Sequence, residues 1–140
     1  MANQDNTLSV QQGYAAFARG DVQAVLDMMV DDVVWISPGP RNLLPTAGER
    51  RGRAQVAEFF ATLNEVEKIQ LFDPHEFVAQ GDKVVAFVTY RSRVRATGQT
   101  IETELAHVFT IRNGKIAEFR EFFDTAAAVA AFQAPAMAGH

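Results

Sequence analysis

Residues 105–124 read LAHVFTIRNGKIAEFREFFD, and the way this stretch pairs with itself decides the architecture. Asn113-Gly114 suits a type I′ turn, in which both central residues take positive φ. Pairing outward from the turn sets Ile111 against Ile116, Phe109 against Glu118, His107 against Arg120, Leu105 against Phe122 and Thr103 against Asp124. Side chains alternate between the faces of a strand. One face then carries Thr103, Leu105, His107, Phe109, Ile111, Ile116, Arg120, Phe122 and Asp124. Ionisable groups among large apolar ones are what a sheet lining a pocket presents. The other face, with Ala106, Val108, Ala117, Phe119 and Phe123, is apolar as well. A single bulge would exchange the two faces beyond it.

Upstream, two more long strands precede this pair, so four run over roughly 66–79, 83–95, 100–112 and 115–123. Gly81-Asp82, Thr97-Gly98 and Asn113-Gly114 separate them. Before them lies helical spacing. Ser9 is a candidate cap for a helix carrying Val10, Tyr14 and Phe17, with polar residues 1–8 expected to fray. Gly20 stops that helix, and Asp21 caps a second one with Val22, Val25, Leu26, Met29 and Val30 inward. The Arg-Gly-Asp at 19–21 is thereby a stop and a cap rather than an adhesion motif. Val33 to Ile36 form a short strand ended by Pro38. Residues 38–52 are a loop rich in Pro and Gly, whose Leu43 and Leu44 need cover, and 53–64 form a third helix with Val56, Phe59 and Phe60 inward. A short helix over 124–133 and a loose tail over 134–140 close the chain. Helices first and a long antiparallel meander after them define an α+β domain.

The 140 residues make a single domain, 1–140, with an ordered core at about 8–133, large enough for a real core. Phenylalanine, at 11, is frequent for this length. A net charge of −4 argues against nucleic acid as a partner. Arg91 and Arg93 have Glu104 and Glu102 opposite them across the Thr97-Gly98 turn, an ordinary cross-strand charge pairing. No run suggests a membrane span or an export leader, which leaves the cytoplasm as the default. Without cysteine there is no disulfide or thiolate ligand, and histidines at 75, 107 and 140 are too scattered for a metal site.

Three groups are candidate site residues. Asp124 is either an acid/base raised in pKa by apolar surroundings or the cap of the last helix. His107 is either a site residue or a core histidine bonded to a neighbour such as Tyr90 or Arg120. Arg120, on the same face, requires an anionic partner. Tyr14, Trp35, Phe59 and Phe60 are candidate pocket walls.

The motifs GD-V at 20–22, DDVVW at 31–35, GR-x-x-V-x-x-F-F at 52–60 and HVFTIRNGKI-x-x-FRE-x-x-D at 107–124 resemble the SnoaL-like branch of the nuclear transport factor two-like superfamily. The resemblance implies a cone: a curved antiparallel sheet wrapped around three N-terminal helices, with a deep apolar pocket and usually a homodimer. It also implies a role for Asp124, which falls on the catalytic aspartate of SnoaL-like cyclases. Ketosteroid isomerases are less similar. Ser37 stands where their base would be, His107 where their oxyanion-binding acid would be, and Tyr14 one place from their helix-one tyrosine. Epoxide hydrolases of this fold need a second acid that the segment 90–93 lacks, and Trp35 and Ser37 replace their water-holding pair. The expectation is a cofactor-independent isomerase or cyclase acting on a small apolar carbonyl or polyketide-like substrate. Asp124 and His107 would be catalytic, with Tyr14, Trp35, Ser37, Phe59, Phe60, Tyr90 and Arg120 binding substrate. The competing expectation is a non-catalytic module that binds a hydrophobic ligand or dimerises, since fold alone does not settle function.

Overall fold

The computed structural model describes residues 2–135; the expected tail beyond Pro135 and His140 lie outside the described residues. Four helices, α1 (Ala2–Ala18), α2 (Val22–Asp27), α3 (Arg53–Val66) and α4 (Thr125–Gln133), accompany six strands. The strands are β1 (Met29–Ser37), β2 (Gly48–Arg51), β3 (Glu67–Gln80), β4 (Lys83–Val94), β5 (Thr100–Arg112) and β6 (Lys115–Phe122). They form one curved, unclosed sheet in the order β2-β1-β6-β5-β4-β3. Neighbours are antiparallel except β1 and β6, which run parallel. The chain leaves β1, crosses by way of β2 and α3 to the far edge, and returns as a meander that ends beside its starting strand.

Local sequence explains most of the boundaries. Asp21 caps α2 by accepting from the Ala24 N–H at 3.0 Å, as the Gly-Asp corner predicts, but the helix ends at Asp27, so Met29 and Val30 open β1 instead of lying on its buried face. Asn113 and Gly114 both have positive φ, 53° and 78°, as a type I′ turn demands. The first helix departs from expectation. It begins at Ala2, and the Ser9 hydroxyl bonds back to the Asp5 carbonyl within the helix instead of capping it. The loop 38–52 also contains a strand, because β2 finds the free edge of β1. Within that loop Leu44 is buried against Ala128, Ala131, Val94 and Ile101, so the apolar residue obtains cover from α4.

Two register differences matter. Across β4 and β5, Arg91 faces Glu102 and Arg93 faces Thr100, two residues from the expected pairing. The connecting loop is longer than a tight turn because Val94 N–H bonds Gln99 O and the buried Thr97 hydroxyl bonds Ala131 O on α4. A shift of two keeps each side chain on its face. Across β5 and β6 the shift is one residue. Ile111 pairs with Ile116, but Thr110 pairs with Glu118 and Phe109 with Phe119, leaving Ala117 as a bulge. Beyond Ala117 the faces are exchanged. Phe119 and Glu121 turn inward, while Arg120 and Phe122 turn out to solvent.

The main core lies between the concave face of the sheet and the helices. Val10, Ala16, Met29, Val33, Val56, Val84 and Ala86 are essentially inaccessible there. Trp35 stacks on Phe119 at 3.8 Å between ring centres, with Phe59 and Phe60 against it. Among the described residues no helix is long and apolar enough to cross a membrane.

Candidate functional site

The site is built around His107, which β5 carries inward to a position only 4% exposed. Helix α1 brings Tyr14 to it, one helical turn beyond Val10, and the Tyr14 hydroxyl lies 2.7 Å from Nδ1. The bulged strand β6 brings Glu121, whose Oε2 is 2.8 Å from Nε2. A carboxylate only accepts, so Nε2 carries the hydrogen, and in a neutral imidazole Nδ1 then accepts from the Tyr14 O–H. Tyr14, His107 and Glu121 therefore form one directed chain of hydrogen bonds. The Ser37 hydroxyl donates to the other oxygen of Glu121 at 3.4 Å, behind the chain. Aromatic rings hold the chain in place. Phe119 meets the His107 ring edge-on at 4.7 Å, and Phe72, Phe77 and Phe109 surround Tyr14 at about 6 Å.

These residues border a cavity of ≈ 100 Å³ that opens on solvent. Tyr14, Trp35, Phe59, Phe60, Tyr90, His107 and Glu121 line it. Leu44 and Thr46 reach it from the loop, Ala128 and Phe132 from α4. A second polar group lies in the same lining. Glu67, 7% exposed at the start of β3, accepts from the Tyr90 and Ser92 hydroxyls, each at 2.6 Å. Burial drives the phenols of Tyr14 and Tyr90 well above the ordinary tyrosine range; the charge of Glu121 adds to the first, that of Glu67 to the second. Burial also raises the Glu67 carboxyl, partly opposed by the hydrogen bonds from Ser92 and Tyr90.

That shift has a thermodynamic consequence. Folded Glu67 holds its proton more tightly than the unfolded residue does, so the native state binds more protons above the ordinary value of 4.5. The stabilising contribution is complete below 4.5 and is lost as pH rises through the raised folded value. Glu67→Gln is expected to flatten this segment of the stability profile, with the change confined to the mildly acidic side. Urea unfolding across a pH series measures it, and an unchanged slope would show that Glu67 is not the group responsible.

Of the residues singled out from sequence, the structure brings Tyr14, Trp35, Phe59, Phe60, Tyr90 and His107 to one cavity. Ser37 stands outside it, behind Glu121. Arg120 and Asp124 do not face it, which corrects the expectation drawn from an unbulged hairpin. Arg120 is exposed on the outer sheet face beside Glu118, 3.4 Å away. Asp124 is exposed and accepts from Ala127 N–H at 3.1 Å as the N-cap of α4. Asp124→Ala is accordingly expected to cost about 1 kcal/mol of stability, the usual value of a cap, and to leave ligand affinity unchanged. Thermal melts and one titration check it. Glu121 and Glu67 were the residues that sequence reasoning missed. Glu121 becomes visible only when one residue is skipped in β6, since Phe119, Glu121 and Phe123 then fall in line with His107. Glu67 carries no such signal, as a charged residue at a helix-to-strand junction is usually solvated.

A curved sheet folded over helices around an aromatic-walled cavity defines the nuclear transport factor two-like architecture. The chain belongs to the SnoaL-like domain family, whose profile matches residues 10–119. An NTF2-like protein from Burkholderia xenovorans LB400 is similar at 34% identity with a TM-score of 0.86, over 95% of this chain and 99% of that one. TerC, in a crystal structure with polyporic acid, is similar at 29% identity and a TM-score of 0.80, over 93% of this chain and 99% of TerC. An uncharacterised protein of Mycobacterium tuberculosis is 27% identical over 125 residues, 89% of this chain and 93% of its own length.

Proposed function

We propose that this SnoaL-like protein is a cofactor-independent acid–base enzyme of the isomerase or cyclase type, acting on a small apolar carbonyl compound. The observation that carries the proposal is the buried hydrogen-bonded chain from Tyr14 through His107 to Glu121, opening on an apolar cavity. Tyr14 takes a proton from the carbon next to the carbonyl and passes its own hydrogen to Nδ1 of His107. The imidazolium formed faces the Glu121 carboxylate, which offsets its charge at contact distance. The electron pair left on carbon delocalises onto the carbonyl oxygen as an enolate. Return of the proton to a different carbon moves a double bond; attack of the enolate carbon on a second carbonyl closes a ring.

The test is exchange. Simple aryl ketones incubated with the protein in heavy water should lose their α-hydrogen signals faster than in buffer, followed by proton NMR. Exchange no faster than in buffer, with binding nevertheless measurable, would leave the second reading: a binding module for apolar ligands. The lining favours that reading too, and polyporic acid, with which the similar TerC was co-crystallised, is a fitting probe for it.

We also propose that two copies pair through the outer sheet face. Val78 and Phe122, each about half exposed, flank Val85, Phe87, Ala106 and Val108 there, an apolar stripe across four strands. Phe87→Lys is expected to convert a dimer to a monomer by light scattering, and a wild-type monomer would remove the idea.

A further inference from the structure

The mechanism above leaves two buried ionisable groups of the cavity lining unused, Glu67 and Tyr90. Tyr90 and Glu67 form a second polar pole. On β4, the partner of His107 is Ala86, and Tyr90 lies four residues further along, about 13 Å at the rise of a strand. Phe72 stands between the poles, in ring contact with Tyr14 at 5.8 Å and with Tyr90 at 6.1 Å. Inward-facing Leu105 occupies the stretch of β5 between them. The lining is thus polar, then apolar, then polar.

The carboxyl at the second pole is incompletely used. Both the Tyr90 and Ser92 hydroxyls donate to Oε1 of Glu67, and Oε2 takes no bond from the described residues. Oε2 is also not sealed in, because Trp35 Nε1 alone among the described buried side-chain atoms lacks a partner. Glu67 borders a second hollow beneath α3 as well as the main cavity. A buried carboxyl fixed by two donors, with its remaining oxygen open, is a prepared acceptor. Leaving a buried polar group unmatched costs a ligand affinity, so the pole discriminates among ligands that reach it.

We propose that the cavity is a two-ended site, in which Glu67 Oε2 accepts a hydrogen bond from a hydroxyl at the far end of an elongated apolar ligand. This rests on the reading above in one respect, that the ligand's carbonyl lies at Tyr14. The ligand class is then an aromatic or polycyclic ketone bearing a hydroxyl remote from the carbonyl. The charge and apolar lining of the far end disfavour a ligand that ends in a carboxylate or phosphate.

Chalcone, para-hydroxychalcone and para-methoxychalcone test the idea by calorimetric titration. They share a carbonyl and an apolar body, and the protein has no thiol to add to their double bond. The hydroxylated probe is expected to bind roughly 10-fold tighter than the other two, the scale of one hydrogen bond to a charged or buried acceptor. The triple variant Glu67→Met/Tyr90→Phe/Ser92→Ala removes the acceptor and both its donors together, so no polar group is orphaned. In it the preference should fall to about 1 while chalcone affinity persists. Should the wild type bind all three alike, or the triple variant retain the preference, the two-ended site is wrong. Tyr14→Phe separates this from the catalytic reading. If it weakens all three probes but no hydroxyl preference exists, the carbonyl position stands and the far pole falls. If the preference exists and Tyr14→Phe changes no affinity, the far pole stands and the carbonyl position falls. Failure of all three probes to bind overturns both.

Discussion

Tyr14→Phe is expected to lower the rate of α-proton exchange by about 10²- to 10⁴-fold, the usual contribution of one positioned acid/base group. The variant keeps the ring that packs against Phe72, Phe77 and Phe109, so the cavity wall stays in place. It removes one oxygen, which bonds to Nδ1 of His107 and in the proposed reaction exchanges a hydrogen with both substrate and His107. The cost to folding is small, because Nδ1 of His107 loses a single partner, about 1 kcal/mol. Binding of a ketone should weaken far less than turnover falls, since the lost contact matters most while charge develops. Glu121→Gln is the companion measurement. Its amide oxygen still accepts from Nε2–H, but the counter-charge to the imidazolium is gone, so the rate should fall with geometry preserved. A Tyr14→Phe protein that exchanges at the wild-type rate would remove Tyr14 from the chemistry and return the site to a binding role.

The path from sequence to this site shows where local rules reach and where they stop. Asn113-Gly114 and Asp21 each act through their own backbone preferences, and each does in the structure what its residue type dictates, whereas the loop at 38–52 yields Gly48–Arg51 to a strand. Helical and alternating spacing likewise placed Val56, Phe59 and Phe60 inward on α3 and His107 inward on β5. The strand partner of β1 was beyond those rules, because a parallel neighbour as distant in the chain as Glu118 is from Val34 leaves no local mark. The bulge at Ala117 was equally silent. Both faces of β6 are rich in Phe, so hydrophobic alternation cannot tell the bulged from the unbulged register, and the one-residue slip exchanged Arg120 for Glu121 at the heart of the site. Asp124 had two competing readings, and the cap is the one its geometry expresses. Glu67 illustrates a different gap: its burial is set by Tyr90 and Ser92 on another strand, which only the fold brings near.

Phe119→Ala is expected to be among the most destabilising single changes, and paired with Phe122→Ala it decides the register of β6. Phe119 is 3% exposed and Phe122 50% exposed, although three positions apart on one strand. In a regular strand paired without a bulge from the Asn-Gly turn, the assignments reverse, with Phe122 inside beside His107 and Phe119 on the opposite face. Truncating the buried ring removes its stack on Trp35 at 3.8 Å and its edge contacts with His107 and Phe109 at 4.7 and 5.3 Å. Loss of a buried Phe side chain costs about 3–5 kcal/mol, a large part of the ~5–15 kcal/mol by which a domain is stable. The melting temperature should drop by roughly 10 °C or more. Phe122→Ala, compared at the same oligomeric state, should change the unfolding free energy by only about 0.5 kcal/mol, the range of an exposed substitution. Equal losses would mean that both rings are buried, and a larger loss from Phe122 would put the strand back in the unbulged register. That second outcome would also take Glu121 away from His107, since the same slip positions both. The stability of two phenylalanine variants therefore reports on the Tyr14–His107–Glu121 chain without any substrate being known.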